Sequence, residues 1–240
     1  MHQKSIKKSY KNIFTYSVIF SLAILVVWSF HKLFLVSYDH WQEPTIFADS
    51  FILLDSGKDQ SLLSWILAQH NEHRISFTKL ITLLEVNFFK LSPGQSALFL
   101  NLLLVIFSCG IWVKINQKFF RKKNLKVITI LSGIILILHP WQWRNFNWEF
   151  QPPWFFINAL LLLSTYILIH PFKRDYKKIK YLTIFLIFIP WLATYSSGQG
   201  IALGIALSIA SFIKEKKLGI KVGISTITTL YTYFILLDYV

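Results

Sequence analysis

Residues 13–36 read IFTYSVIFSLAILVVWSFHKLFLV, and this run decides what kind of fold the chain can adopt. Its 24 residues include only one charged side chain, Lys32, which lies beside His31 toward the end of the run. A helix of about 20 apolar residues crosses the ~30 Å hydrocarbon core of a bilayer. The run also lacks a small-residue cleavage site, so it predicts a retained membrane helix and not a secretory signal peptide.

Further apolar runs follow along the rest of the 240-residue chain. They lie at 96–113, 127–139, 154–170, 181–194, 201–213 and 222–237. The total of 54% hydrophobic residues and the mean hydropathy of +0.50 exceed those of soluble domains only modestly. The grouping into runs is the informative feature. It predicts an all-α polytopic membrane protein with about seven transmembrane helices, forming a single transmembrane domain over 1–240.

The net charge of +14 reflects basic blocks between the apolar runs and not a face that binds nucleic acid. Nineteen of the 25 Lys and Arg residues fall in the blocks 4–11, 114–126, 173–180 and 214–221. Such a bias places these blocks in the cytoplasm and predicts a cytoplasmic N-terminus. Together with the Ile-, Lys- and Phe-rich composition, it predicts a multi-pass protein of a bacterial cytoplasmic (inner) membrane.

The segment 37–95 is predicted to be a large extracytoplasmic loop that holds most of the acidic residues. Within it, 76–91 is apolar enough to be considered as another span. If it crossed, however, the block 114–126 would lie on the opposite side from the N-terminal lysines. We therefore expect an amphipathic helix along the membrane surface.

Small residues predict a close helix pair near the end of the chain. Gly200, Gly204 and Ser208 recur at four-residue spacing, which suits close contact between helices in a membrane. The stretch 196–200, SSGQG, reads most simply as the tight turn of a helical hairpin.

The chemically richest stretch is QHNEHR at 69–74, in the first loop. Carboxylates such as Glu72 can deprotonate a hydroxyl or bind a metal. Arg74 can hold a phosphate in a fork geometry. The loop 141–151 lies on the same predicted side and adds tryptophans that can stack on sugars or lie at lipid headgroups.

Three features together resemble a family of bacterial membrane enzymes. They are Asp39 just after the first helix, the His-Asn-Glu-His-Arg string at 70–74, and the Asn-Phe-Asn-Trp-Glu-Phe-Gln string at 145–151. They are similar to the GT-C superfamily of polyprenyl-phosphate-sugar-dependent glycosyltransferases, as is the layout of one helix, a large outer loop and six further helices. Members of that superfamily usually carry more helices, so the resemblance concerns an N-terminal seven-helix module.

The resemblance implies transfer of a sugar from a polyprenyl-phosphate donor to a cell-envelope acceptor at the outer face of the membrane. Asp39 occupies the place of the key acid, and Glu72 is the second catalytic candidate. The residues that the resemblance implies in substrate binding are His70, His73, Arg74, Trp143, Arg144, Trp148 and Gln151. The two arginines are the candidates for holding the phosphate. The implied partners are a polyprenyl-phosphate-linked sugar and membrane lipid, without nucleic acid.

Each of these residues also has a structural interpretation. Asp39 reads equally as a solvated loop acid, and Arg74 as an anchor for a surface helix at the headgroups. The tryptophans read as an aromatic belt. His70 and His73 have a spacing that permits a divalent metal, but the His-Glu-x-x-His order of zinc hydrolases is absent. The lone Cys109 excludes a disulfide framework and a cysteine-based metal site.

Two other functions remain open at the level of sequence. A transporter or flippase of lipid-linked sugars would show ionisable residues in mid-span and interrupted helices. The predicted spans instead contain almost no charge, and the polar residues fall in the outer loops, which favours an enzyme. The third reading is a non-catalytic envelope membrane protein.

Overall fold

The structure is a computed structural model that describes residues 2–42, 61–69, 74–91, 95–139, 151–169 and 176–236. This part of the chain is all-helical. Its first half contains α1 (His2–Gln42), α2 (Leu62–Leu67), α3 (Ser76–Leu83), α4 (Gln95–Phe119) and α5 (Lys123–Ile137). Its second half contains α6 (Pro152–Ile169), α7 (Tyr176–Ser196), α8 (Gly200–Lys214) and α9 (Lys216–Tyr231). Wider π-helical turns extend α3 over Leu84–Phe89 and α9 over Thr232–Leu236.

Each of the seven apolar runs is helical over most of its described residues. Four of the described helices are long and apolar enough to cross a membrane. These are Asn12–Leu35, Leu98–Phe119, Pro152–Ile169 and Lys216–Ile235. The apolar parts of α7 (Lys180–Ser196) and α8 are shorter, and α5 has 15 residues. At 1.5 Å per residue, 15 residues reach about 22 Å, less than the ~30 Å hydrocarbon core. The all-α class is thus confirmed for the described residues, and four helices have the length and apolarity of membrane spans. The count of seven spans stays a prediction.

The helices pack in a row. α1 lies mainly against α5, α5 against α4, and α4 against α6; α6 then packs on α7, and α7, α8 and α9 form a compact trio. One buried cluster joins α6 to the trio through side chains such as Leu160, Ile189 and Val222. A second cluster joins Leu33 of α1 to Val105 of α4 and to the start of α6.

The outward faces of the long helices are apolar, as expected for helices that meet lipid. On α1, Phe14 is 71% exposed and Phe20 is 68% exposed, and very little of its apolar segment is buried. α4 likewise exposes Phe99 and Ile106. Since large contiguous apolar surfaces are rare on soluble monomers, this pattern supports the membrane assignment.

Basic residues meet at one end of the row of helices. The Lys118 ammonium, near the end of α4, lies 5.9 Å from the ring centre of Tyr166 on α6. Lys214, the last residue of α8, donates a hydrogen bond to the Leu168 carbonyl at the end of α6. The basic segments after α4 and after α8 therefore share one end. The turn between α7 and α8, at Ser197–Gln199, lies at the other end.

Candidate functional site

The end of α2 is closed by side chains that follow it in the chain. Lys79, on α3, donates hydrogen bonds from Nζ to the carbonyl oxygens of Trp65 (2.6 Å) and Ala68 (2.7 Å). Its ammonium also lies 5.6 Å from the ring centre of Trp65. The last carbonyls of a helix lack intrahelical partners and carry a partial negative charge, so a cation is stabilised there.

Two more side chains complete this closure. The Ser76 hydroxyl donates to the Ile66 carbonyl (2.9 Å), and Arg74 donates from Nη1 to the Leu67 carbonyl (2.5 Å). Together with Lys79, they supply donors to four consecutive carbonyls, those of the last three residues of α2 and of its C-cap Ala68. We call this arrangement, formed by residues 65–68 with Arg74, Ser76 and Lys79, the α2–α3 corner.

Arg74 also connects the corner to the far end of the chain. Its backbone N–H donates to the Tyr233 hydroxyl (3.0 Å), and its Nε donates to the Tyr233 carbonyl (3.3 Å). The guanidinium carbon lies 5.8 Å from the centre of the same ring. These contacts bridge 159 residues of sequence and bring the first loop to the end of α9.

Aromatic residues of α7 continue the site. The Tyr195 ring packs edge-on against the Tyr233 ring, with ring centres 5.7 Å apart. It stacks parallel to the Trp191 ring, with ring centres 5.8 Å apart. The Tyr195 hydroxyl bonds to Thr232 Oγ1 at 3.0 Å. Residue 233 lies within a π-helical turn, a distortion that is frequent at functional sites. The result is a cationic corner beside a column of three aromatic rings.

α3 turns its polar side toward the protein. Thr78, Lys79, Thr82 and Glu85 are all buried, with exposures of 2% or less. Leu80, Leu84, Phe88 and Phe89 on the other side are exposed. α3 packs against α6 and α7, and Phe77 stacks on Phe156 with ring centres 4.5 Å apart. The helix is amphipathic as predicted, but its polar face meets other helices where a simple surface helix would present that face to water.

Burial changes the proton affinity of Lys79. Desolvation, with a smaller contribution from the neighbouring Arg74 charge, lowers the pKa of Lys79 from 10.5 to about 8. Lys79 can therefore lose its proton at mildly alkaline pH and still donate to the carbonyls of α2 as a neutral amine.

Three of the predicted site residues fall in the described part of the chain. Asp39 is exposed on α1, four residues past the apolar segment that ends at Leu35, and it makes no salt bridge with any described residue. Arg74 is 2% exposed. Gln151 is 6% exposed, and its backbone carbonyl accepts from Trp154 N at 2.9 Å as α6 begins. The other predicted residues, His70, Glu72, His73, Trp143, Arg144 and Trp148, lie outside the described residues.

Because six of the nine residues lie outside the described part of the chain, the convergence of the predicted set stays a prediction. α1, which carries Asp39, packs mainly on α5, whereas Arg74 bonds to α2 and to the end of α9. Arg74 holds the first loop against α2 and the end of α9, which is compatible with the anchoring interpretation. Its predicted contact with a phosphate stays a prediction.

The predicted option of a divalent metal gains no support from the described residues. Among them, no group of three His, Cys, Asp or Glu side chains could hold a metal ion. The two histidines and Glu72 of the 69–74 stretch lie outside the described residues, so metal ligation by them stays a prediction.

Sequence reasoning missed several residues of this site, above all Lys79, Glu85, Tyr195 and Tyr233. One signal was available for the first two: Ser76, Lys79, Thr82 and Glu85 recur every three residues in an otherwise apolar segment, which marks one polar helix face. The tyrosines had no such signal, because only the fold brings them next to Arg74.

The described residues form an all-helical fold with four candidate membrane spans and a buried cationic corner at one end of its helices. No family model, curated protein or solved structure matches the chain. The function must therefore be argued from the residues and their geometry.

Proposed function

We propose that the protein is a membrane glycosyltransferase that moves a sugar from a polyprenyl-phosphate donor to a cell-envelope acceptor. The observation that carries the proposal is the pair of cations, Arg74 and Lys79, buried where the first loop meets the ends of α7 and α9. A donor of this class presents a phosphate at the membrane boundary, and buried cations beside aromatic rings suit such a group.

In this proposal the chain has seven spans and a cytoplasmic N-terminus, in a bacterial cytoplasmic membrane. The clustering of Lys118 and Lys214 at one end supports this orientation, because basic residues favour the cytoplasmic side. The α2–α3 corner then lies toward the outer face, as part of the 37–95 loop. The exposed apolar residues of the π-helical turn that extends α3, such as Leu84 and Phe88, would contact lipid.

The chemistry requires a base on the acceptor hydroxyl and positive charge near the leaving phosphate. We assign the base to Asp39 or Glu72, with the other carboxylate orienting the acceptor. Arg144 is the candidate for direct contact with the phosphate. Arg74 and Lys79 contribute the positive field of the corner, while Arg74 also holds the first loop against α9.

The test measures sugar transfer in membranes that contain the full chain. Membranes are incubated with a panel of radiolabelled polyprenyl-phosphate hexoses and pentoses, and label in envelope polymer is counted. We expect Asp39→Asn or Glu72→Gln to lower transfer by about 100-fold or more, the usual contribution of a general base. Glu215→Gln, an exposed acid at the basic end, is the matched control and should retain activity. Wild-type activity in both of the first two variants would refute the assignment.

A transporter of lipid-linked sugars is the second candidate, and one observation favours it. Lys79 and Glu85 are both at least 98% buried on α3, and buried ionisable residues in membrane proteins often mark transport pathways. Proteoliposomes loaded with the same donors separate the two functions. Movement of donor across the bilayer without acceptor would support the transporter, whereas product formed without donor crossing would support the enzyme.

A further inference from the structure

A lateral cleft opens between α5 and α6, which both pack on α4. Its volume is about 320 Å³, at the lower end of the ~300–1,000 Å³ found for small-molecule sites. Val105, Ser108 and Phe155 form its buried floor, with exposures of 7% or less. Leu136 and Leu161, both exposed, line its rim.

Gly133 and Trp112 shape the cleft. A β-carbon at residue 133 would overlap the Trp112 indole, so glycine is needed for the indole to approach α5 this closely. The indole N–H donates to the Thr129 carbonyl at 3.3 Å, which holds the ring in place. The Trp112 indole that bounds the cleft is therefore held by its contact with Gly133 and by its hydrogen bond to Thr129.

Asn158 is the one amide on the cleft, and it is exposed at the side of α6. No hydrogen bond joins its side chain to any other described residue. α6 is one of the four helices able to cross a membrane. An amide without a partner on the lipid-facing side of a span is costly, because hydrocarbon offers no hydrogen bonds.

The depth of Asn158 in the membrane indicates which lipid group can accept its hydrogen bond. Trp154, 47% exposed, lies one helical turn before Asn158 on the same face, and exposed tryptophans favour the headgroup level. One turn is about 5.4 Å along the axis, which places Asn158 just below the headgroups. The polar groups at this depth of a phospholipid are the ester carbonyls of its acyl chains.

We propose that this cleft binds one acyl chain of a membrane glycerophospholipid, with an ester carbonyl accepting a hydrogen bond from the Asn158 amide. The acyl chain of the lipid then fills the cleft above its floor of Val105, Ser108 and Phe155. The isoprenoid chain of a polyprenyl phosphate carries no carbonyl below its headgroup, so the proposal separates this cleft from a donor site for polyprenyl phosphate. The proposal does not depend on the proposed enzymatic function.

The experiment is photo-cross-linking of the full chain in phosphatidylethanolamine–phosphatidylglycerol vesicles doped with a phospholipid that carries a diazirine on its acyl chain. Adducts are mapped by mass spectrometry and are expected on α4, α5 and α6 around the cleft. Asn158→Leu should lower cross-linking by roughly threefold to tenfold, the loss that corresponds to one neutral hydrogen bond. Leu136→Trp should block the cleft from its exposed rim and abolish these adducts.

Thr165→Val is the matched control on the same helix. The Thr165 hydroxyl donates to its own helix, to the Leu161 carbonyl at 2.8 Å, so its loss should leave cross-linking unchanged. Thermal unfolding in detergent checks that each variant is folded. Adducts that lie elsewhere, or that survive both cleft variants, overturn the proposal. Displacement of the probe by an excess of polyprenyl phosphate would also overturn it, in favour of an isoprenoid site.

Discussion

At the scale of single residues, Lys79 is unusual because a buried lysine is costly unless its charge is compensated. Here the compensation is two carbonyls at the negative end of α2 and the face of Trp65. Desolvation by burial, with a smaller contribution from the nearby positive charge of Arg74, lowers the pKa of Lys79 to about 8. The folded state therefore releases this proton more readily than the unfolded chain does.

This linkage predicts a pH dependence of stability. Between pH ~8 and ~10.5 the unfolded chain binds a proton at Lys79 that the folded chain has lost, so the Lys79 contribution to stability rises with pH. It is fully present above pH ~10.5 and is lost as pH falls through ~8. We expect the melting temperature of wild type, relative to Lys79→Met, to increase between pH 7.5 and 10 in detergent.

Lys216→Met, which removes an exposed ammonium at the opposite end, controls for the change in net charge. A difference between wild type and Lys79→Met that stays constant across this pH range would show that Lys79 keeps its ordinary proton affinity.

At the scale of helices, the predicted contact of small residues on α8 is confirmed. Gly200 lies against the Ala193 backbone of α7, where a β-carbon would overlap it, and a β-carbon at Gly204 would lie 3.3 Å from Thr226. One turn further along, the Ser208 hydroxyl bonds to Thr226 Oγ1 at 2.9 Å. Close backbone approach thus allows hydrogen bonds between α8 and α9, as is usual for helices in membranes.

Glycine substitutions test this packing. Gly200→Ala should destabilise the protein by about 1–3 kcal/mol, the usual cost of overpacking a close contact. Gly223→Ala on α9 is the matched control, since a β-carbon there meets no atom within 4 Å. Thermal unfolding in detergent compares the two variants. Equal melting temperatures would mean that the contact between α7 and α8 is looser than described.

At the scale of the whole molecule, the question is whether the short helix α8 crosses the bilayer. Gln199 and Glu215 flank α8 at its two ends, and both are exposed. The seven-span arrangement places these two residues on opposite sides of the membrane. The four-helix count by length and apolarity does not include α8.

Cysteine labelling decides this point, because Cys109 is the only cysteine of the chain. In a Cys109→Ala background, Gln199→Cys should react with a membrane-impermeant maleimide in intact cells. Glu215→Cys should react only after permeabilisation. Labelling of both residues from the same side would show that α8 does not cross the membrane. It would also contradict the seven-span arrangement on which the proposed orientation depends.

Much of the fold could be predicted from the sequence, and less of the site. The seven apolar runs are helices because continuous runs of this kind leave few other ways to satisfy backbone polar groups. The helix ends were harder: α1 extends to Gln42 and α7 begins at Tyr176, inside a basic segment, since polar residues also propagate helices. Within the site, the sequence indicates Arg74 as a functional candidate but gives no sign of its partners Leu67 and Tyr233.

The helical character, the apolar segments, the basic blocks between them and the close packing of α8 can be read from the sequence, because they follow from local hydrophobicity, charge and residue size. The inward polar face of α3 and the contact of Arg74 with Tyr233 are visible in the folded protein alone. Both depend on contacts between segments far apart in the chain. In α3, donors of a polar face are stabilised by carbonyls that another helix leaves unpaired, and no pattern within 76–85 specifies which helix supplies them.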